Sequence, residues 1–214
     1  MFARQSQLTG RDRLARLMEE SGERAAHLSE TGRRFAELSG NTAAPRVVSA
    51  YQLFQTPEDI AAKMVEMLPE DHGAILEPSA GLGRIYRAIR KRFPRSPVTM
   101  VDVAPQCVEE LRRETSSDVE SEVFCRDFLE LTPEQLGTFS AVVMNPPFHN
   151  RSDIKHIRHA IEFLAPGGIL ISVCMGGEIR ARELGKIGSL SPLPPKSFRS
   201  EGTNVETSLF VYRK

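Results

Sequence analysis

The sequence carries no excess of charge of either sign. Across its 214 residues Lys+Arg and Asp+Glu each total 28, a formal net charge of zero. That balance excludes holding a polyanion by bulk charge alone, while leaving local basic patches open. Cysteine is scarce: Cys107, Cys125 and Cys174 are the only three, widely spaced and odd in number. With no C-x-x-C pair and no Cys/His cluster, neither a zinc site nor a disulfide framework is indicated, and reduced, mostly buried thiols are expected. The N-terminus has no apolar signal core, and no run approaches the ~18 apolar residues that a membrane span requires. A cytoplasmic protein without a membrane partner is the expectation. Internal repeats and low-complexity tracts are also missing. What is present is ordinary globular composition, 40% hydrophobic and 26% charged, in a chain long enough for one α/β core with a terminal extension.

Residues 1–45 differ from the rest. From Arg11 to Leu38 the chain is rich in Arg, Glu and Ala, with Leu14, Leu17, Leu28, Phe35 and Leu38 at roughly helical spacing. Thr9 to Asp12 reads as a capping-box start, while Gly22, Gly32 and Gly40 weaken a single long helix. One or two amphipathic helices are expected, serving as a lid over the core or as an arm for a protein partner or nucleic acid. From Tyr51 onward short strands alternate with helices. Helices are expected over 59–68, 84–93, 105–114 and 153–164, with a short one at 133–136. Strands are expected over 74–77, 98–103, 122–125, 140–144 and 169–175. The tail from Phe198 to Tyr212 suggests two late strands joined as a hairpin. Such alternation implies parallel βαβ units with helices on both faces of the sheet.

Four features stand at the carboxyl ends of these strands, where open α/β sheets bind ligands. Glu77-Pro78-Ser79-Ala80-Gly81-Leu82-Gly83 joins the first strand to a helix, and its glycines let a ligand approach the backbone without meeting a Cβ. The acidic Glu77 suits a ligand bearing an ammonium group rather than a phosphate. Asp102 ends the next strand, where a carboxylate can accept the two hydroxyls of an adenosine ribose. Asp127, after the third strand, can accept from an adenine amino group, with Arg126 beside it either part of the site or paired to a surface acid. The most specific feature is Asn145-Pro146-Pro147-Phe148. Two prolines directly after a buried strand stop the sheet and stiffen the backbone. The Asn145 amide oxygen and the Pro146 carbonyl are then rigid acceptors for the hydrogens of a planar exocyclic amine, favouring a pyramidal nitrogen and the positive charge that develops on it. Phe148 offers a face for stacking the planar substrate.

Other features read as structural. His149, His156 and His159 lack the partners of a metal pattern, and His156, Arg158 and His159 suggest a helix face. Arg84, Arg87, Arg90, Lys91, Arg92 and Arg95 form a basic cluster, either a solvated helix face or a phosphate-contacting surface. Met175-Gly176-Gly177 with Arg180 and Arg182 reads as a mobile loop over substrate or as an ordinary connection.

On these motifs the chain resembles the amino-methylating S-adenosylmethionine-dependent methyltransferases, most closely the N6-adenine DNA methyltransferases of the gamma arrangement. Phe54-Gln55-Thr56-Pro57 is similar to the family's leading F-x-T-P segment, and Asn145 to Phe148 to its catalytic [DNS]-P-P-[YFW] motif. The resemblance implies an α/β, Rossmann-like fold of seven strands with a terminal antiparallel hairpin, over residues 46–214, with residues 1–45 as a helical extension. It implies S-adenosyl-L-methionine as cofactor, held by Phe54, Thr56, Glu77, Ser79, Gly81, Gly83, Asp102, Asp127 and Asn145. Catalysis would rest on Asn145, Pro146, Pro147 and Phe148, with no metal. The implied substrate is nucleic acid, adenine N6 in DNA before others. The target-recognition region of the DNA enzymes is missing, since the span from Gly176 to Leu190 is short. N-P-P-F-H also resembles ribosomal-RNA guanine-N2 methyltransferases, and N-P-P-Y occurs in protein glutamine methyltransferases. A cofactor-binding partner subunit without catalysis is the remaining alternative.

Overall fold

The computed structural model describes residues 55–118 and 120–214. The expected helices within 1–45 and the expected contact from Phe54 lie outside the described residues.

The described chain opens with helix α1 (Glu58–Glu66), entered through Pro57 and carrying Glu58 and Asp59 in its first turn and Lys63 in its last, charges that complement the helix dipole. Four strand–helix units follow: β1 (Ile75–Glu77) and α2 (Arg84–Arg92), β2 (Val98–Asp102) and α3 (Pro105–Glu114), β3 (Ser121–Cys125) and the short α4 (Pro133–Leu136), then β4 (Phe139–Met144) and α5 (Ser152–Glu162). After them come β5 (Leu164–Met175), α6 (Glu178–Leu184), β6 (Ser189–Pro192) and β7 (Thr207–Arg213). The seven strands form one sheet in the order β3-β2-β1-β4-β5-β7-β6. β3, β2, β1, β4 and β5 run parallel, whereas β7 is antiparallel to both β5 and β6.

The chain winds outward from β1 to β3 and then returns to place β4 on the other side of β1. β1 and β4 therefore flank the switch point of the sheet, where a crevice opens beyond the strand ends. β1 and β4 are almost wholly buried, as expected for parallel strands covered on both faces. On one face Ile60, Met64, Ile75, Ile85, Ile89, Met100 and Val143 form a continuous core.

The Rossmann-like seven-stranded expectation is met, with adjustments at the C-terminal end. Phe198 is not in a strand; it lies fully buried in the connection from β6 to β7. The outer strand of the hairpin is instead Ser189–Pro192, paired to Ser208–Val211 of β7. Its exposed, polar, proline-ended sequence suits an edge. The segment after Met175 is neither a loop nor a bare connection, because α6 occupies most of it. Pro166-Gly167-Gly168, residues that ordinarily break structure, is absorbed into β5, with a register shift against β4 between Phe139 and Ala141.

Among the described residues no helix is long and apolar enough to cross a membrane. Cys107 and Cys174 are buried free thiols, which burial pushes up to about 11 and about 12 respectively.

Candidate active site

A cavity of about 420 Å³ lies at the carboxyl ends of β1, β2, β3 and β4. Thr56, Glu77, Ser79, Gly81, Asp102, Asp127 and Asn145 to Phe148 all contribute to its wall. Residues from four separate strand ends, chosen from sequence on chemical grounds, thus meet in one place. Gly83 does not line it. With φ of +78° it begins α2, its N–H donates to Ala80 O at 2.9 Å, and a Cβ there would lie 2.9 Å from Leu111 Cδ2. It is glycine so that α2 can pack closely against α3 with a left-handed backbone.

Glu77 is the last residue of β1 and is fully buried. Neither of its carboxylate oxygens has a hydrogen-bond partner among the described residues. Burial, followed by the nearby Asp102 carboxylate, raises its pKa well above the ordinary value. A buried carboxylate in that state is unfavourable until a cation or donor reaches it, so the orphaned oxygens mark a place for a cationic group. Gln55 adds a buried amide oxygen that likewise has no partner among the described residues, and Thr56 beside it is buried.

Asp102 joins two elements. Its Oδ2 accepts the Gly81 N–H at 2.7 Å and its Oδ1 accepts the Ala104 N–H at 2.8 Å. Burial raises its pKa, while the backbone N–H groups of Ala104, Gly81 and Val103 counter that shift. Each oxygen retains a second lone pair. Asp127 caps the short turn Phe128–Glu130, with Oδ1 accepting the Leu129 N–H at 2.9 Å, and among the described residues Oδ2 has no hydrogen-bond partner.

Asn145 leaves β4 half-buried with its Oδ1 shielded from solvent, and Pro146 behind it is buried. Phe148 is half-buried and packs against the core, so the ring is held in place at the cavity edge. Immediately beyond it, Asn150 and Arg151 both have positive φ, 50° and 60°. Two consecutive non-glycine residues in this conformation are unusual and store strain beside the site.

His156, Arg158 and His159 do lie on one helix but not on one face. His156 is buried and lines the cavity. His159 turns inward as well, its Nε2 bonding Leu131 O at 2.9 Å and Phe128 O at 3.1 Å, while Arg158 pairs with Glu183 outside. The sequence also gave no sign of the pair between Asp153 and Arg180. Arg180 donates to Asp153 through Nε at 3.0 Å and Nη2 at 2.9 Å, and the Met175 N–H reaches the same carboxylate at 3.1 Å. This buried, two-pronged bridge ties α6 and the end of β5 to the start of α5.

The basic cluster is mostly structural. Arg87 pairs with Glu114, Arg90 with Asp118 and Arg92 with Glu70, and Arg84 stands near Glu58 and Glu201. Among the described residues no group of His, Cys, Asp and Glu is arranged to hold a metal ion.

Residues 49–182 match the family model "Methyltransferase small domain". Ribosomal RNA small subunit methyltransferase C of Pseudomonas aeruginosa (strain LESB58) is 32% identical over 113 residues, covering 50% of this chain and 32% of that protein. The Hahella chejuensis protein of the same name is 30% identical over 142 residues, covering 59% and 41%. The chain therefore spans roughly a third of the length of the first of these relatives. Among solved structures, the N-methyltransferase NodS of Bradyrhizobium japonicum WM9 in complex with S-adenosyl-L-homocysteine superposes with a TM-score of 0.58 at 16% identity, covering 79% of this chain and 93% of that one. TrmN from Thermus thermophilus gives 0.55 at 18%, covering 73% and 48%. At such identities the likeness is one of fold.

Proposed function

The chain belongs to the methyltransferase small domain family, and from that premise we propose that it methylates an exocyclic amino group of a nucleic-acid base, with guanine N2 in RNA the favoured target. The observation that carries the reading is the convergence of Asn145 and Pro146 on the same cavity as Glu77 and Asp102. The cavity combines carboxylates suited to a nucleoside that carries an amino-acid chain with acceptors suited to a planar amine.

The residues present fit S-adenosylmethionine. Glu77, buried and without a partner among the described residues, receives the ammonium group; Asp102 receives the ribose hydroxyls through its remaining lone pairs; Asp127 receives the adenine amino group. Gly81 allows the close approach, and Ser79 and Thr56 border the methionine end. When bound, the cofactor supplies a methyl group on a sulfonium, a good leaving group that needs no metal and no covalent enzyme intermediate.

The chain's own part is orientation and electrostatics. Asn145 Oδ1 and the Pro146 carbonyl accept from the two amine hydrogens, drawing the nitrogen lone pair out of conjugation. Pro147 holds the turn, and Phe148 stacks on the base. The match beginning at residue 49 supports a domain boundary near residue 46.

RNA is favoured because the relatives bear the name of ribosomal RNA methyltransferases and because Asn145 to His149 reads N-P-P-F-H. Adenine N6, in DNA or RNA, is the second reading, supported by Phe54-x-Thr56-Pro57 and the Glu77-Pro78-Ser79 opening. Labelled methyl transfer to small-subunit rRNA, DNA and protein, followed by digestion and mass spectrometry, tests the target. N2-methylguanosine supports the first reading and N6-methyladenine the second. Methylglutamine in protein, or no transfer to any substrate, refutes both.

A further inference from the structure

We infer that His156 is a second hydrogen-bond acceptor for the amino group of the cofactor's adenine, working beside Asp127. The inference rests on the cofactor reading above and extends it to a residue that sequence pattern assigned to a helix face.

His156 sits one turn into α5 and is only 8% exposed, yet it lines the cavity. Its Nδ1 lies 2.9 Å from Ser152 O, with Ser152 Oγ at 3.1 Å. A carbonyl can only accept, so Nδ1 must carry the proton. In a neutral imidazole the other nitrogen is then an acceptor. Burial favours that neutral form by lowering the pKa of the ring. Nε2 is left with a lone pair and no hydrogen-bond partner among the described residues, within a wall shared with the ligand.

The position of the ring decides which ligand atom it serves. Its centroid is 6.2 Å from that of Phe128, the residue after Asp127, and the Asp127 carboxylate acts on it electrostatically. His156 therefore belongs to the Asp127 side of the cavity. An adenine amino group carries two hydrogens. One free oxygen of Asp127, its Oδ1 being engaged by Leu129, can take one of them, and Nε2 of His156 is the acceptor available for the other. A buried acceptor on each hydrogen selects an amino group over a carbonyl oxygen at the same ring position, since a carbonyl would set lone pair against lone pair.

Calorimetry with S-adenosylhomocysteine and S-inosylhomocysteine, which carries a carbonyl in place of the amino group, tests this. Wild type should prefer the adenine ligand. His156→Phe keeps a ring against Phe128 but lacks the acceptor. It should reduce affinity for the adenine ligand by about 5- to 10-fold, the scale of one neutral hydrogen bond, and leave the inosine ligand within about 2-fold, the residue of a shape-conserving change. His156→Gln, whose amide oxygen can accept, should recover part of the preference. The preference is a ratio measured within each variant, so a reduced folded fraction cancels from it. Unchanged preference in both His156→Phe and His156→Ala overturns this inference alone. Absence of binding of either ligand by wild type overturns the cofactor reading and this inference with it.

Discussion

Asp102 Oδ2 accepts the Gly81 N–H at 2.7 Å, so the carboxylate closing β2 also holds the loop leaving β1. The other oxygen holds Ala104, at the start of α3. One side chain thus fixes both walls of the crevice before any ligand enters. The backbone bonds leave lone pairs on both oxygens, so the residue can shape the site and bind there at once.

Replacing Asp102 with Ala should act on both roles. Loss of a charged acceptor should weaken S-adenosylmethionine binding by about 1.5–3 kcal/mol. Freeing the Gly81 and Ala104 N–H groups should also lower the melting temperature. Titration calorimetry and thermal melts read the two separately, and unchanged affinity would remove Asp102 from the ribose site.

Glu77 should trade stability for binding. Burial raises its carboxyl well above the usual range, so the folded chain retains a proton that the unfolded chain releases near pH ~4.3. In the window from that pH up to the raised folded pKa, the native state binds more protons, and stability falls as pH rises. Glu77→Gln removes this loss. Without cofactor its melting temperature should be close to wild type near pH 4 and higher at neutral pH, by about 2–4 °C for each 1 kcal/mol relieved in a chain of this size. The same variant should bind S-adenosylmethionine about tenfold or more weakly, having lost a charge-assisted bond. A variant that is both less stable and equally tight would contradict the assignment.

The bridge from Arg180 to Asp153 should show the asymmetry of buried pairs. Asp153 is fully buried and Arg180 nearly so. Asp153→Ala leaves a guanidinium without its partner and should cost about 3–5 kcal/mol, whereas Asp153→Leu with Arg180→Met should cost much less. Urea unfolding with comparable slopes measures both. Equal losses in the single and double variants would show that packing, rather than uncompensated charge, sets the cost.

How far the sequence could be read depended on the range of the forces involved. Apolar runs such as Ala141–Met144, with Pro146 and Pro147 after them, declare a buried strand and its end through local chemistry alone. Glu77, Asp102 and Asp127 could be placed because they stand at or just beyond strand ends, and parallel topology brings such ends together. Long-range partners were not legible. Arg87, Arg90 and Arg92 look like a basic surface until Glu114, Asp118 and Glu70 are brought beside them by folding. Ser189–Pro192 has too little apolar character to announce a strand, and becomes one only by adding to the edge of β7. His156 shares a helix with the exposed Arg158, and which of them faces inward is decided by Phe128 from a different element.

The decisive test of the chemistry lies at Asn145. Its Oδ1 is shielded from solvent at the end of β4, and Pro146 behind it cannot shift to compensate. Asn145→Ala should lower methyl transfer by about 10²-fold or more, the scale for losing one oriented group that acts on developing charge. Affinity for S-adenosylmethionine should fall less than the rate, if Glu77, Asp102 and Asp127, which line the same cavity, supply most of that binding. Asn145→Asp keeps an oxygen acceptor in place and should retain more activity than the alanine variant. Single-turnover rates with saturating nucleic acid separate this from a loss of substrate affinity. Phe148→Ala should behave differently, weakening substrate binding by roughly 1–3 kcal/mol, as for one base–aromatic stack. It should also lower stability, because the ring packs on the core. If Asn145→Ala keeps the full rate, the amine is polarised elsewhere, and the site assignment fails whichever base carries the methyl group.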